Sequence, residues 1–105
     1  MQGNKETPDC WKFVKVTAVE TGETHDRVLC SWYGGFAGSD YWKLSSGNQE
    51  IIDRGDYLEV PQHSGTVYIL YKGAEKMSSL MWGNLSRWQK DMTVVKMEVW
   101  DYVCK

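Results

Sequence analysis

The sequence reads WKFVKVTAV from Trp11 to Val19, a run dominated by β-branched and aromatic residues. Such residues favour the extended backbone of a strand. A turn signal follows at Thr21-Gly22-Glu23, and a second strand-like run, RVLCSWY, extends from Arg27 to Tyr33. Two runs of this kind joined by a short turn predict an antiparallel hairpin, which we take as the centre of the fold.

Short extended segments continue the β pattern after this hairpin. Turn residues separate the four further strands that we predict here, which are 41–46, 50–53, 57–60 and 66–71. A last strand is predicted over 93–103, where apolar residues alternate with charged ones and with Trp100. This alternation predicts one buried and one partly wet face.

One segment departs from the β pattern. Apolar residues recur at helical spacing, which predicts an amphipathic helix over 77–90 with its core face formed by Met77, Met81, Leu85 and Trp88. Gly83 lies inside it at a cost of roughly 1 kcal/mol relative to alanine, and we expect it to allow close packing on the sheet. The order of elements predicts an α+β fold, in which a curved antiparallel sheet of roughly five to seven strands carries the helix on one face.

Size and charge limit the possible functions. The 105 residues predict a single domain over 11–105, preceded by a flexible polar arm over 1–10. The net charge of −2 argues against binding to duplex nucleic acid, which requires several phosphate contacts from lysine and arginine. Because no apolar run reaches the length that spans a bilayer, a membrane is not an expected partner either.

The cysteines predict neither a metal site nor a cofactor. Cys10, Cys30 and Cys104 are widely spaced, and the sequence has no Cys-x-x-Cys pair or mixed cluster with histidine. Their odd number favours reduced thiols in the cytosol.

The stretch from Trp32 to Asn48 carries the candidate binding site. Aromatic residues there alternate with glycine, serine and one lysine, and two readings stay open: a ligand loop, or a glycine-rich bend whose aromatics lie in the core. In the ligand reading, rings stack on a base and glycine amides face phosphate oxygens. The predicted ligand-binding residues are Trp32, Tyr33, Gly34, Gly35, Gly38, Ser39, Asp40, Tyr41, Trp42, Lys43, Ser45, Ser64, Gly65 and Tyr68.

The same stretch lacks the signatures of phosphate-binding and catalytic motifs. It has no Gly-Lys-Ser/Thr ending, and no helix is predicted directly after it. His63 could act with Ser39 and Asp40 as a catalytic set, but no Gly-x-Ser-x-Gly elbow supports this. We therefore name no catalytic residue, and a small nucleotide hydrolase is the third choice of function.

The run from Arg27 to Gly47 resembles a motif of small accessory proteins of tailed bacteriophages. In those proteins a strand ending in Trp-Tyr-Gly-Gly-aromatic leads to Gly-Asp-Ser-Trp-Arg-Leu-Asn-Ser-Gly, and a later Ser-Gly-x-x-Tyr is matched here by Ser64 to Tyr68. Two positions depart from the motif, because Tyr41 replaces a small residue and Lys43 replaces arginine.

This resemblance implies an accessory gene that acts in the cytosol of a bacterial host and counters host defence. Our first hypothesis is a homo-oligomeric protein that sequesters a nucleotide-derived signalling molecule without catalysis. The alternative is an inhibitor that binds a host protein through exposed tryptophan and tyrosine side chains.

Overall fold

Eight strands and one helix make up the fold in the computed structural model, which describes residues 4–34, 41–90 and 95–103. The strands are β1 (Lys5–Glu6), β2 (Cys10–Ala18), β3 (Thr24–Trp32), β4 (Tyr41–Leu44), β5 (Ile52–Asp53), β6 (Tyr57–Pro61), β7 (Val67–Tyr71) and β8 (Val95–Trp100). A short 3-10 turn, Lys72–Ala74, follows β7, and helix α1 (Ser79–Gln89) lies between this turn and β8.

The strands form two sheets of four. The central sheet has the order β4-β3-β2-β8 and is antiparallel, with the predicted β2–β3 hairpin at its middle. The outer sheet has the order β1-β7-β6-β5, and β1 pairs in parallel with β7. The predicted α+β class is confirmed, with somewhat more strands than predicted and two sheets instead of one. Alternation along a strand predicts its buried face but does not identify the sheet that the strand joins.

The main hydrophobic core fills the space between the two sheets. Trp11 and Phe13 of β2 project towards the outer sheet, where Leu58, Leu70 and Tyr68 meet them. The ring of Phe13 lies between Trp11, at 5.2 Å edge to face, and Trp100, stacked at 4.9 Å. Burial of these large rings makes this layer the main source of hydrophobic stabilisation.

A second core lies between the central sheet and α1. Val14 and Leu29 project towards the helix, where they meet Met81 and Leu85. The helix therefore packs on one face of the sheet as predicted, and Ser78 caps it by accepting a hydrogen bond from the Met81 amide at 3.3 Å. The predicted packing role of Gly83 is wrong, since a Cβ added there would meet no atom within 4 Å.

Residues 4–10 differ from the flexible arm predicted for 1–10, of which residues 1–3 lie outside the described part of the chain. Lys5–Glu6 forms β1 against Val67 and Tyr68, Pro8 is buried, and Cys10 already belongs to β2. The prediction rested on polar composition, which does not report backbone pairing. A polar strand at a sheet edge can be held by backbone hydrogen bonds, such as that from the Val67 amide to the Asn4 carbonyl at 2.8 Å.

A buried ionic cluster ties three distant segments together. The ammonium group of Lys12 on β2 donates to Glu75 at 3.1 Å and to Asp101 after β8. The Glu75 carboxylate also accepts from the amides of Tyr102 and Val103, each at 2.6 Å. Burial alone would lower the pKa of Lys12, but its hydrogen bonds to the two carboxylates outweigh this effect and raise that pKa.

Candidate functional site

The end of the central sheet formed by β4 presents aromatic side chains on both faces. Strand alternation places Tyr41 and Lys43 on one face and Trp42 on the other. Tyr41 stacks on Trp32 of β3 with ring centroids 4.8 Å apart, whereas Trp42 meets Trp88 of α1 edge to face at 5.3 Å. The two predicted binding rings, Tyr41 and Trp42, therefore do not converge on one ligand.

Tyr33 lies at the other end of the stretch that leads into β4. Its backbone amide donates to the Asp9 carboxylate at 2.8 Å, and its hydroxyl lies 2.9 Å from the Cys10 sulfur. These contacts fix the position of Tyr33 while its side chain remains exposed. We call the surface formed by Tyr33, Tyr41 and Trp42 the aromatic edge.

Lys43 is the only predicted source of positive charge in the candidate set. Its ammonium group pairs with Glu6 of β1 at 3.0 Å, and both side chains are partly exposed. An exposed pair of this kind contributes about 1 kcal/mol or less and can be displaced by a competing anion. Lys43 is therefore accessible to a negatively charged partner.

Two predicted ligand residues lie inside the protein. The Ser45 hydroxyl accepts from the buried Val28 amide at 2.7 Å, and Tyr68 packs in the core between the sheets. Ser64 and Gly65 lie in the turn before β7, where the Ser64 amide donates to the Ser46 hydroxyl at 3.1 Å. Gly34 has a left-handed backbone, with φ +59°. The remaining predicted residues lie outside the described part of the chain: Gly35, Gly38, Ser39 and Asp40.

The buried titratable groups near β4 do not suit nucleophilic chemistry. The Cys30 thiol donates to the Lys43 carbonyl at 3.5 Å, and burial raises the pKa of this thiol to about 12. Burial likewise raises the pKa of Tyr68 above its ordinary value. Both groups are therefore protonated at neutral pH, and a thiol in that state is a poor nucleophile.

A polar groove lies at the opposite end of β3 and was not predicted from the sequence. One part has a volume of about 400 Å³ and is lined by Lys15, Thr24, Asp26, Glu98, Val99 and Trp100. The adjoining part has a volume of about 440 Å³ and is lined by Thr24, His25, Asp26, Asn48, Gln49, Glu50 and Ile51. Thr24 and Asp26 line both parts, so we treat them as one feature, the polar groove.

Strand register brings the charged groups of the groove together. Lys15 is paired with Asp26 on β3 and with Glu98 on β8, and all three lie on the face of the central sheet that carries Phe13. The Trp100 indole nitrogen donates to Asp26 at 2.9 Å, which orients this carboxylate. These residues are far apart in the sequence, and no local motif could have predicted the site.

His25 lies at the wall of the groove in its neutral form. Burial, the neighbouring charge of Arg27 and a smaller effect of His63 lower the pKa of His25, although Asp26 acts in the opposite direction. Arg27 Nε donates to His25 Nε2 at 2.9 Å. Because a neutral imidazole has one donor and one acceptor nitrogen, this bond assigns the proton of His25 to Nδ1.

His63 lies beside His25 and Gly47, away from the aromatic edge. A Cβ added at Gly47 would lie 2.8 Å from His63 Cδ2 and 3.8 Å from His25 Cδ2. Among residues 4–34, 41–90 and 95–103, no three histidine, cysteine or acidic side chains group as metal ligands would. The catalytic set imagined for His63 depends on Ser39 and Asp40, which lie outside these ranges.

The described helix cannot span a bilayer, being neither long nor apolar enough. Comparison with known proteins adds no family assignment: no protein-family model, curated protein or solved structure matches this chain.

Proposed function

We propose that this chain is a non-catalytic protein that binds a protein partner through the aromatic edge. The observation that carries the proposal is that Tyr33, Tyr41 and Trp42 remain 51%, 49% and 38% exposed around a single terminal strand. Exposed tyrosine and tryptophan are the side chains most enriched at the energetic centres of protein interfaces.

The distribution of these rings favours a broad partner over a small ligand. Tyr41 and Trp42 lie on opposite faces of β4, so a molecule that contacts both must pass around the edge of the sheet. β4 is the last strand of the central sheet and pairs only with β3 among the described residues. Its outer backbone groups can therefore accept a strand from a partner, which adds main-chain hydrogen bonds to the aromatic contacts.

The resemblance to small tailed-phage proteins supports a partner from the bacterial host. Such a protein would act in the host cytosol by blocking a defence or metabolic protein. Under this proposal the chain performs no reaction, and its effect depends on affinity and concentration alone.

A capture experiment followed by reconstitution tests this function. Tagged protein is exposed to bacterial lysate, a stoichiometric partner is identified, and binding is then measured between the two purified proteins. Tyr41→Ala should weaken this binding by about 2 kcal/mol or more, because a hot-spot ring is lost. Tyr71→Ala is the matched control, since Tyr71 is also 49% exposed but lies on the outer sheet.

Equal effects of the two tyrosine variants would contradict the proposal, as would failure of the purified proteins to bind. Trp42→Ala and Trp82→Ala form a second matched pair, in which Trp82 is the 52% exposed tryptophan of α1. Near-ultraviolet circular dichroism confirms that each variant keeps its fold.

Sequestration of a nucleotide-derived signal is the second candidate. It is favoured by the shared face of Tyr41 and Lys43, which offers a ring and a cation to a base and a phosphate. We expect a homo-oligomer in this case, because copies could enclose the ligand between their edges. A rise in melting temperature with cyclic dinucleotides or ADP-ribose derivatives, lost in Lys43→Ala, would support this candidate over the first.

A further inference from the structure

The open edge of β8 carries an inference that is independent of the aromatic edge. β8 is the last strand of the central sheet on the side away from β4, and it pairs only with β2 among the described residues. An unpaired strand edge presents backbone amides and carbonyls that can bond to a further strand. The side chains along β8 then determine which strand fits.

Side chains of two kinds alternate along β8 (Val95–Trp100). Met97 and Val99 are partly buried and project towards α1, whereas Lys96 and Glu98 lie on the other face and are exposed. The Lys96 ammonium and the Glu98 carboxylate lie 3.8 Å apart, and each side chain is more than half exposed. An ion pair of this kind adds little to the stability of one chain, and both charges are accessible to a second one.

This pattern is self-complementary in one antiparallel register. When Met97 lies opposite Met97 of a second copy, Lys96 lies opposite Glu98 of that copy. The same register places Val95 opposite Val99, and the symmetry repeats each pair. Directly opposite residues share a face of the sheet with Cβ atoms about 4.5–5.5 Å apart, which suits ion pairs and apolar contacts alike. The register thus forms two interchain ion pairs on one face and an apolar row on the other.

Neighbouring registers do not fit the same side chains. A shift by two residues places Lys96 opposite Lys96 or Glu98 opposite Glu98, and like charges directly opposite each other are destabilising. A shift by one residue places Met97 opposite a charged side chain. A lysine on an edge strand commonly hinders pairing, but here Glu98 supplies its counter-charge from the second copy. The charges therefore favour a second copy of this chain as the occupant of the edge.

One side-chain hydrogen bond reaches the backbone of β8 among the described residues. Gln89 Nε2 of α1 donates to the Met97 carbonyl at 2.9 Å. A carbonyl oxygen has two lone pairs, so it can also accept from the amide of an incoming strand. The contact with α1 therefore leaves the edge available for pairing.

We propose that two copies of this chain pair through β8 in antiparallel orientation, about a two-fold axis at Met97. The pairing joins two four-stranded central sheets into one continuous sheet, with both helices on the same face. The two aromatic edges then lie at the outer ends of this sheet. Self-pairing and the binding of a protein partner at β4 therefore use different surfaces.

Sedimentation equilibrium over a range of protein concentrations tests the pairing. We expect a reversible monomer–dimer equilibrium, because a single strand pair gives an interface at the small end of the usual range. Glu98→Lys places lysine opposite Lys96 at both symmetry-related positions and should raise the dimer dissociation constant about tenfold or more. Asp56→Lys is the matched control, since it makes the same charge change on the exposed turn between β5 and β6 and should leave the constant unchanged.

Exchange of the two charges tests the register itself. Lys96→Glu alone should weaken the dimer as Glu98→Lys does, because carboxylates then face each other. The double variant restores opposite charges at both positions and should recover the original dissociation constant. An equimolar mixture of the two single variants should likewise form a heterodimer that is tighter than either homodimer. Recovery in these combinations separates lost pairing from a damaged fold.

A chain that stays monomeric at every concentration would overturn the proposal. A dimer that both single variants leave unchanged would also overturn it, because its interface would then lie elsewhere. Weakened single variants without recovery in the double variant or the mixture would overturn the assigned register.

Discussion

The two ends of β3 rest on the same central sheet yet present opposite chemistry. At the Trp32 end, the terminal strand β4 leaves rings exposed on both of its faces. At the Thr24 end, hydrogen-bonded polar groups surround a groove. The strand framework therefore permits either surface, and the side chains at each end determine what that end can bind.

The largest effect is expected from a change in the ionic cluster of Lys12, Glu75 and Asp101, which holds β2 in place for both ends of β3. Glu75→Ala leaves the Lys12 ammonium with the partly exposed Asp101 alone and removes the acceptor of the Tyr102 and Val103 amides, so it should lower the free energy of unfolding by about 3 kcal/mol. Urea unfolding followed by tryptophan fluorescence measures this loss.

The exposed Arg54–Glu59 pair provides the control for that prediction. Its nitrogen and oxygen lie 3.2 Å apart, and Glu59→Ala should cost about 1 kcal/mol or less. Equal losses for the two variants would mean that the buried cluster contributes no more than a surface ion pair.

A change at Gly47 should disturb the groove end alone. Gly47 has a φ of +141°, and an added Cβ would lie 2.8 Å from the His63 ring. Gly47→Ala should therefore destabilise the protein by about 1–3 kcal/mol through strain and the close contact. Amide NMR shifts should be confined to the groove and absent from Tyr41 and Trp42.

Gly22→Ala separates the two causes, because Gly22 has a φ of +76° but open space around it. It should cost less than Gly47→Ala, because only backbone strain acts there and no atom lies within 4 Å of the added Cβ. The reverse order would show that the ring moves aside without cost.

A change in α1 should affect neither end. Gly83 is helical and exposed, and no atom lies within 4 Å of an added Cβ. Gly83→Ala should raise the free energy of unfolding by up to about 1 kcal/mol, since alanine restricts the unfolded chain and favours the helix. A melting temperature that falls instead would contradict the open environment of this helix face.

The smallest expected effect is a pH dependence of the groove end. The pKa of His25 is lowered from 6.5, so the unfolded chain binds a proton more readily than the folded one. Stability should therefore decrease as the pH falls through 6.5 and level off below the lowered pKa. Unfolding midpoints at successive pH values measure this slope, and His25→Gln should flatten it; an unchanged slope would assign the effect to other groups.

The sequence predicted the strands better than their assembly. Residues such as Val14 and Val28 identify strands because branched side chains favour extended backbone. β3 begins at Thr24, earlier than predicted, because its polar first residues are held by pairing with β2. The division of the strands into two sheets was not predicted. β2 is buried continuously from Cys10 to Val14, which is the pattern of a strand covered on both faces.

The candidate site was predicted only where it is local in sequence. The exposed members of the predicted set include Tyr33, Tyr41 and Trp42. Ser45 and Tyr68 instead lie inside the protein, because serine and tyrosine side chains can form hydrogen bonds with buried groups as well as with ligands. The polar groove depends on register across three strands, and a single sequence does not specify that register.

The ionic cluster also has a consequence for biosynthesis. Asp101 is synthesised 89 residues after its partner Lys12, and β8 must be made before β2 has both of its sheet neighbours. At roughly 5–20 residues per second, translation of that interval takes roughly 4–18 seconds. During this time the apolar faces of β2 lack the cover that β8 gives them, so we expect the growing chain to expose aggregation-prone surface until β8 has been made.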